Sequence, residues 1–308
     1  MSKIAISYST YNRSEIFKSN ILIILPILRK YNLPLYISDD SDNNDTEIIV
    51  LEIKKIYYNI FYNKNIIRLG HDLNFYKAIT IPKEEYVWYL GDSIYFNVNK
   101  FELILKNLNS NFDLIFLNSI HPDNDIYEIT NKKFFFISKI WYLTLSGSCI
   151  YGRKARMFQV DSNNFNKWTN FVQLGQILNY AISCKVKMLW IGEPLIASND
   201  NKKSYWQKNT VKVFIHDWIN FIFYFNTYFN LEETLFIIKS HAIEKKLFTF
   251  KSIFYIRTLN GLRTSEIFKY YRELKIASNC NVSQLFFFSI IPSLFFKILY
   301  RIYKKIKH

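Results

Sequence analysis

The chain is poor in residues that break regular structure. Its 308 residues include 7 glycines and 6 prolines, too few for a collagen-like, low-complexity or loop-dominated protein. Cysteine is almost absent: Cys149, Cys184 and Cys280 stand alone, without a CxxC pair or a histidine at metal-ligand spacing. A disulfide framework and a structural zinc site are thereby excluded, and reduced core thiols in a cytoplasmic protein are expected. No stretch reaches the roughly 18 uninterrupted apolar residues that a membrane-spanning helix needs. The start, MSKIAISYSTYNR, lacks the long apolar run of a signal peptide. Acidic residues run out before the end, with none after Glu273.

What is present is hydrophobic and basic. Half of the residues are hydrophobic and 19% are aromatic, enough for a sizeable core in one large domain or a medium domain with an appendage. The abundance of Ile, Asn, Lys, Tyr and Phe is that of an AT-rich coding sequence, so the aromatic and lysine counts carry no function by themselves. The net charge of +15 calls for an anionic partner: nucleic acid, a membrane surface or a phosphorylated substrate.

Along the first hundred or so residues, strands alternate with helices. KIAISYS reads as a strand ending at TYNR, followed by a helix over Glu15–Tyr31 with Ser14 as its N-cap. LPLYISDDS is a second strand entering an acidic loop over Asp39–Asp45, and Thr46–Tyr58 a second helix. NIIRLG reads as a third strand before the helix LNFYKAIT, and YVWYL as a fourth strand ending in Gly91, Asp92 and Ser93. FELILKNL is helical and FDLIFLNS is a strand. This alternation means an α/β fold with a mostly parallel sheet and flanking helices. Ligands of such sheets bind outside the carboxyl ends of the strands, where all four polar clusters fall. Beyond LSGSCIYGRKA the rhythm breaks, with a helix over Asn166–Ala181 and a last strand pair in KVKMLWIGEPLI. From about Val211 long apolar-aromatic helices take over, so a boundary is placed at Trp206, giving residues 1–206 and 207–308.

The order of these clusters resembles the family 2 glycosyltransferases with a GT-A fold. ISYSTYNR is similar to that family's opening strand and loop, LYISDDSDNNDT to its second strand and acidic loop, and IIRLGHDLNFYKAI to the stretch leading into its nucleotide-side helix. EYVWYLGDSIYF stands where the family has its metal-binding acidic motif. The resemblance covers roughly residues 3–205. It implies a nucleotide-sugar donor, a UDP-sugar first, and a glycan or lipid-linked oligosaccharide acceptor in cell-surface polysaccharide synthesis such as capsule or lipopolysaccharide. Thr10, Tyr11, Asn12, Arg13, Asp39, Asp40, Arg68, His71, Asp92 and Ser93 are the implied donor-binding residues. Ser146, Gly147 and Ser148 are implied on the acceptor side, and Trp168 is added there as a ring able to stack on a sugar, with Tyr205 and Trp206 as further candidates.

The chemistry of the residue types agrees. Asp39 or Asp40 can accept from a uracil-type N–H and ribose hydroxyls, and Arg13 and Arg68 can face phosphate oxygens. Asp92 can hold Mn or Mg bridging the diphosphate, since oxygen ligands suit those ions. The family offers two or three carboxylates there; this chain offers Asp92 alone, so either phosphates and water complete the shell or the metal is dispensable. The family's Glu-Asp pair at the acceptor-side helix falls on Thr169 and Asn170, neither of which is a base. Asp161 is the first candidate for the catalytic base, with Glu193 and Asp200 downstream. His121 is a candidate on the acceptor side and His216 for a late metal ligand, while Trp88, Trp190 and Trp218 are read as core.

At the C-terminal end, Ser289, Ser293, Lys297 and Arg301 recur every four residues among bulky apolar ones, a polar stripe on one helix. A basic stripe and the end Lys304–Lys307 suit an interfacial helix on an anionic leaflet, which places the protein on the cytoplasmic face of the membrane. A basic nucleic-acid-binding protein is the alternative of another class, but the acidic run Asp39–Asp45 would repel phosphate, so no nucleic acid is expected. A GT-A relative that binds without turning over is the third reading.

Overall fold

The computed structural model describes residues 3–119, 125–199 and 205–307. The elements are β1 (Ile4–Thr10), α1 (Ser14–Tyr31), β2 (Leu35–Asp39), α2 (Asp45–Lys54), β3 (Ile60–Lys64), α3 (Gly70–Thr80), β4 (Tyr86–Gly91) and β5 (Ile94–Phe96). They continue with α4 (Phe101–Asn107), β6 (Leu114–Asn118), β7 (Ile126–Glu128), α5 (Lys132–Lys139), β8 (Cys149–Gly152), α6 (Arg153–Arg156), α7 (Val172–Ser183), β9 (Met188–Pro194) and β10 (Ile196–Ser198). The rest is helical: α8 (Trp218–Tyr224), α9 (Leu231–Glu244), α10 (Phe250–Thr258), α11 (Thr264–Lys269), α12 (Tyr271–Ala277), α13 (Val282–Ile290) and α14 (Ser293–Lys307).

The central sheet runs β3-β2-β1-β4-β8-β6-β9-β7. β1, β2, β3 and β4 pair in parallel, β8 is antiparallel to both β4 and β6, β9 is parallel to β6, and β7 closes the edge antiparallel to β9. The strands β1, β2, β4 and β6 are buried on nearly every residue, as expected where helices cover both faces of a sheet. β5 and β10 form a separate antiparallel pair.

The backbone separates into two compact units, one of residues 1–165 and 171–202, the other of residues 166–170 and 203–308. In the first, α1 buries Phe17, Ile21, Ile24 and Leu28, which repeat at helical spacing and join the strand residues Ile4, Ile6, Trp88 and Leu90 in the core. In the second, Trp218 and Phe221 of α8 are fully buried, and Phe254 of α10 meets Phe296 of α14 edge to face at 5.3 Å.

Several local expectations are corrected. The third strand is Ile60–Lys64, and NIIRLG is instead the loop before α3. Ile66 and Ile67 are wholly or largely exposed, so their apolar character never enters the sheet. Arg13 rather than Ser14 holds the cap position of α1, without a side-chain cap bond. The second helix stops at Lys54, and the helix expected from Asn166 begins at Val172. The four-residue stripe does not lie on one helix: α13 and α14 bend by 87° around Pro292, and Ser289 is buried with its hydroxyl on Phe286 O at 2.7 Å. Ser293, Lys297 and Arg301 remain on α14. The three cysteines are free thiols.

Candidate active site

Three strand ends supply the site. β1 ends at Thr10 and β2 at Asp39, adjacent in register, while Ser9 faces Gly91 across the β1–β4 ladder. The loops after β1, β2 and β4 therefore emerge side by side, where open α/β sheets bind their ligands.

Asp92 is the charged centre of this edge. Its Oδ1 accepts from Arg13 Nη1 at 3.0 Å and its Oδ2 from the Thr10 hydroxyl at 3.4 Å. Its backbone carbonyl accepts from Asn20 Nδ2 at 2.8 Å. Burial pushes the Asp92 carboxyl above the ordinary carboxylate value, and the Arg13 guanidinium opposes that shift. Ser93, next to it, is buried, and its carbonyl accepts from Asn199 N at 2.9 Å.

The two adjacent aspartates are engaged in different ways. Asp39 accepts from Ser41 N at 2.9 Å and from the Tyr62 hydroxyl at 2.7 Å. Asp40 accepts from Gly70 N at 2.7 Å, Leu69 N at 3.0 Å and Asn65 Nδ2 at 2.7 Å. It thus satisfies orphan N–H groups at the start of α3 and favours the positive end of that helix. Both carboxylates are buried. Beyond them the exposed Asp42 accepts from the Tyr11 hydroxyl and from Asn12 Nδ2, each at 2.9 Å. Those bonds hold its carboxyl below the usual range, the one from Asn12 first. Asn12 takes a left-handed backbone with φ 51°, which asparagine tolerates better than most residues.

Arg68 lies over the Tyr11 ring with its guanidinium carbon 4.1 Å from the centroid, a cation–π contact on the exposed side of the same edge. His71 is exposed, its Nδ1 2.8 Å from Asp72 Oδ1.

The loop expected on the acceptor side lies against β4. Gly147 has φ 95°, and a Cβ there would stand 2.9 Å from Leu90 Cδ2. Its carbonyl accepts from Trp88 Nε1 at 2.7 Å, and the buried Ser148 hydroxyl donates to Leu145 O at 2.7 Å. A Cβ built on Gly91 would meet Ser146 Cβ at 3.4 Å, so Ser146 borders the turn that carries Asp92.

Two expected residues have local partners of their own. Asp161 is exposed on a turn, where its Oδ1 accepts from Asn163 N at 2.9 Å, a local Asx bond. Trp168 is fully buried in the helical unit, stacked on Phe225 at 6.2 Å and edge-on to Tyr224 at 5.8 Å. Its ring faces are filled by protein, so it is a core residue rather than a sugar platform. Asn170, at the family's acid position, donates to Asp217 Oδ2 at 2.6 Å. His216 contacts Glu273 at 3.3 Å. His121 and Asp200 lie outside the described residues, and Glu193 is ion-paired with Lys100. Trp88, Trp190 and Trp218 are fully buried, as read.

Sequence reasoning missed Asn20, Ser41, Asp42 and Tyr62. Asn20 gave a signal, being a polar residue one turn from the core positions Phe17 and Ile24; its Oδ1 also accepts from Asn199 Nδ2 at 3.1 Å. Tyr62 gave none, because its strand was misplaced.

This sheet order is that of a GT-A-like fold. Among solved structures, PcManGT, a mannosyltransferase from Pyrobaculum calidifontis in complex with GDP-Man and Mn2+, aligns with TM-score 0.55 over 98% of this chain and 88% of its own, at 10% identity. S. aureus TarS 1-349 in complex with UDP aligns with TM-score 0.50 over 94% of this chain and 90% of its own, at 13% identity. In sequence the chain is 27% identical over 126 residues to the abequosyltransferase RfbV of Salmonella typhimurium. That match spans 40% of this chain and 37% of the relative. No family model matches the sequence.

Proposed function

We propose that this protein transfers a sugar from a nucleotide-sugar donor to a glycan acceptor in cell-surface polysaccharide assembly. The observation that carries the reading is the Arg13–Asp92 pair at the mouth of three strand ends, with the Asp39–Asp42 loop and the Tyr11–Arg68 stack beside it. The sequence likeness to an abequosyltransferase, and nucleotide or nucleotide-sugar complexes among proteins of like fold, support the same reaction class.

In this reading Tyr11, Asn12 and the Asp39–Asp42 loop receive the base and ribose, and Arg13 and Arg68 face the diphosphate as negative charge develops on the leaving group. PcManGT was solved with Mn2+, so the fold accommodates a divalent ion. Here, among the described residues, no group of three or more His, Cys, Asp or Glu side chains could hold one. Asp92 is already bonded by Arg13. A Mn or Mg ion here would be held by Asp92 with the donor's phosphates and water completing its shell, and Arg13 and Arg68 add positive charge for the diphosphate. Residues 1–206 carry the transfer chemistry.

Residues 207–308 are assigned to the membrane surface on its cytoplasmic face, where a lipid-linked acceptor is met. Among the described residues no single helix is long and apolar enough to cross a bilayer, and the bent pair α13–α14 passes only when its two helices are taken together. Phe287, Ile290, Leu294, Phe295, Ile298 and Ile302 are exposed on that pair, with Lys297 and Arg301 on α14. An apolar face with basic residues and no acid suits shallow insertion into an anionic leaflet.

The test is a thermal-shift series with UDP-, GDP- and dTDP-sugars, with and without Mn or Mg, followed by an assay of nucleoside diphosphate release with glycan acceptors. Stabilisation by one nucleotide class with acceptor-dependent release is expected. Stabilisation without release would leave a binding-only relative, and no stabilisation by any nucleotide would sink the donor-site assignment.

A further inference from the structure

The helical unit contains a cavity of about 740 Å³ between α9, α11, α12 and α13. Lys239 and Lys275 line it, and no acidic residue does. Neither lysine has an ion pair among the described residues; Lys275 only lies 4.6 Å from the Tyr271 ring centroid. The nearby acids are engaged elsewhere: Glu266 with Arg263 N at 2.9 Å and Glu273 with His216 at 3.3 Å. Two lysines thus line one space without an acidic residue beside them among the described residues.

Its other wall is apolar. Phe268 and Phe286 meet edge to face at 5.4 Å, and Phe268 is 67% exposed. Phe286 belongs to α13, whose next residue, Phe287, and Ile290 are exposed as well, so the aromatic wall continues into the apolar face of the α13–α14 pair. The floor is fixed by Asn279, whose Nδ2 donates to Ala242 O at 2.6 Å and Leu247 O at 2.9 Å. A bare anion would leave the aromatic wall unused, and a neutral lipid would leave two charges unanswered.

We propose that this groove binds the phosphate-bearing end of an amphipathic lipid, with Lys239 and Lys275 on the phosphate and the Phe268–Phe286 wall against the first carbons of its chain. The assignment rests on the membrane-surface reading of this unit, and gives that surface a site that selects a headgroup rather than charge alone.

The full-length protein is titrated by calorimetry with dihexanoyl phosphatidic acid below its micelle concentration, with dihexanoyl phosphatidylcholine and with sodium phosphate. Binding of the phosphatidic acid alone is expected. Lys239→Gln with Lys275→Gln should weaken it by about tenfold or more, and Phe268→Ser should weaken it while leaving the melting temperature unchanged. Lys297→Gln with Arg301→Gln, on α14, should bind the soluble lipid like wild type yet sediment less with phosphatidylglycerol vesicles. Soluble-lipid binding by a wild type that ignores those vesicles would uphold the groove and end the membrane-surface reading. Sedimentation without soluble-lipid binding would end the groove alone. Equal affinity for inorganic phosphate, or wild-type affinity in the double lysine variant, would also overturn it.

Discussion

Arg13 Nη1 stands 3.0 Å from Asp92 Oδ1, so the loop after β1 and the turn after β4 are joined by one partly buried charge pair. Asp92→Asn should keep the fold, because the amide retains the shape and the Asn20 bond to its backbone carbonyl. Transfer should fall by about a hundredfold, because Arg13 loses the carboxylate that holds its guanidinium in place and a misplaced contact costs about that much. Wild-type turnover in this variant would remove Asp92 from the site.

The same pair sets a pH dependence. Burial raises the Asp92 carboxyl and Arg13 opposes that. In Arg13→Ala the opposition is gone, so the folded protein holds its proton to higher pH than the unfolded chain does. Stability should then fall as pH rises through the ordinary carboxylate range, more steeply than in wild type. Parallel denaturant titrations between about pH 4 and 7 check it.

Asp39 and Asp40 should separate when replaced. Asp40 bonds two backbone N–H groups at the start of α3, so Asp40→Ala should cost about 1–2 kcal/mol of stability, read as a lower urea midpoint. Asp39→Asn should weaken nucleoside diphosphate binding by about tenfold with a smaller effect on stability. Equal stability losses and unchanged nucleotide affinity in both would place the nucleotide elsewhere.

Two glycines provide a matched test of the packing of the Ser146–Ser148 loop. Gly70 and Gly147 both have positive φ, but a Cβ meets nothing within 4 Å at Gly70 and comes within 2.9 Å of Leu90 at Gly147. Gly70→Ala should cost about 1 kcal/mol of backbone strain, and Gly147→Ala about 2–3 kcal/mol more from overpacking. Melting temperatures in the reverse order would contradict this packing.

His241 should make the helical unit acid-sensitive. It is fully buried beside Trp218, its ring nitrogens have no hydrogen-bond partner among the described residues, and burial lowers its pKa to about 3. The unfolded chain binds a proton below about pH 6.5 that the folded one refuses until about pH 3. Stability therefore falls with decreasing pH across that window, by up to about 1.4 kcal/mol per pH unit. His241→Phe should flatten this limb without losing a hydrogen bond. An unchanged acid limb would mean that the ring is not held neutral.

Chain order alone determined the parallel half of the sheet and its polar edge. Short apolar runs that each stop at a polar cluster, separated by helical spacing, leave few ways to bury both faces of a sheet. Those runs place Thr10, Asp39 and Asp92 at neighbouring strand ends, and the family resemblance carried by the same clusters named their use. Tertiary structure decided what each polar atom does there. Asp39 and Asp40 are identical in sequence type, yet Asp39 meets a tyrosine from β3 and Asp40 the start of α3, because successive residues leaving a strand point to opposite faces. The apolar pair Ile66–Ile67 reads as strand but is exposed, since the sheet edge was already taken by Ile60–Lys64. Trp168 sits among polar neighbours in sequence but is enclosed by Tyr224 and Phe225, and Pro292 turns one apparent polar stripe into two helices bent by 87°. Periodicity reports which residues share a face of their own element; what that face meets depends on contacts between distant parts of the chain, which local sequence does not encode.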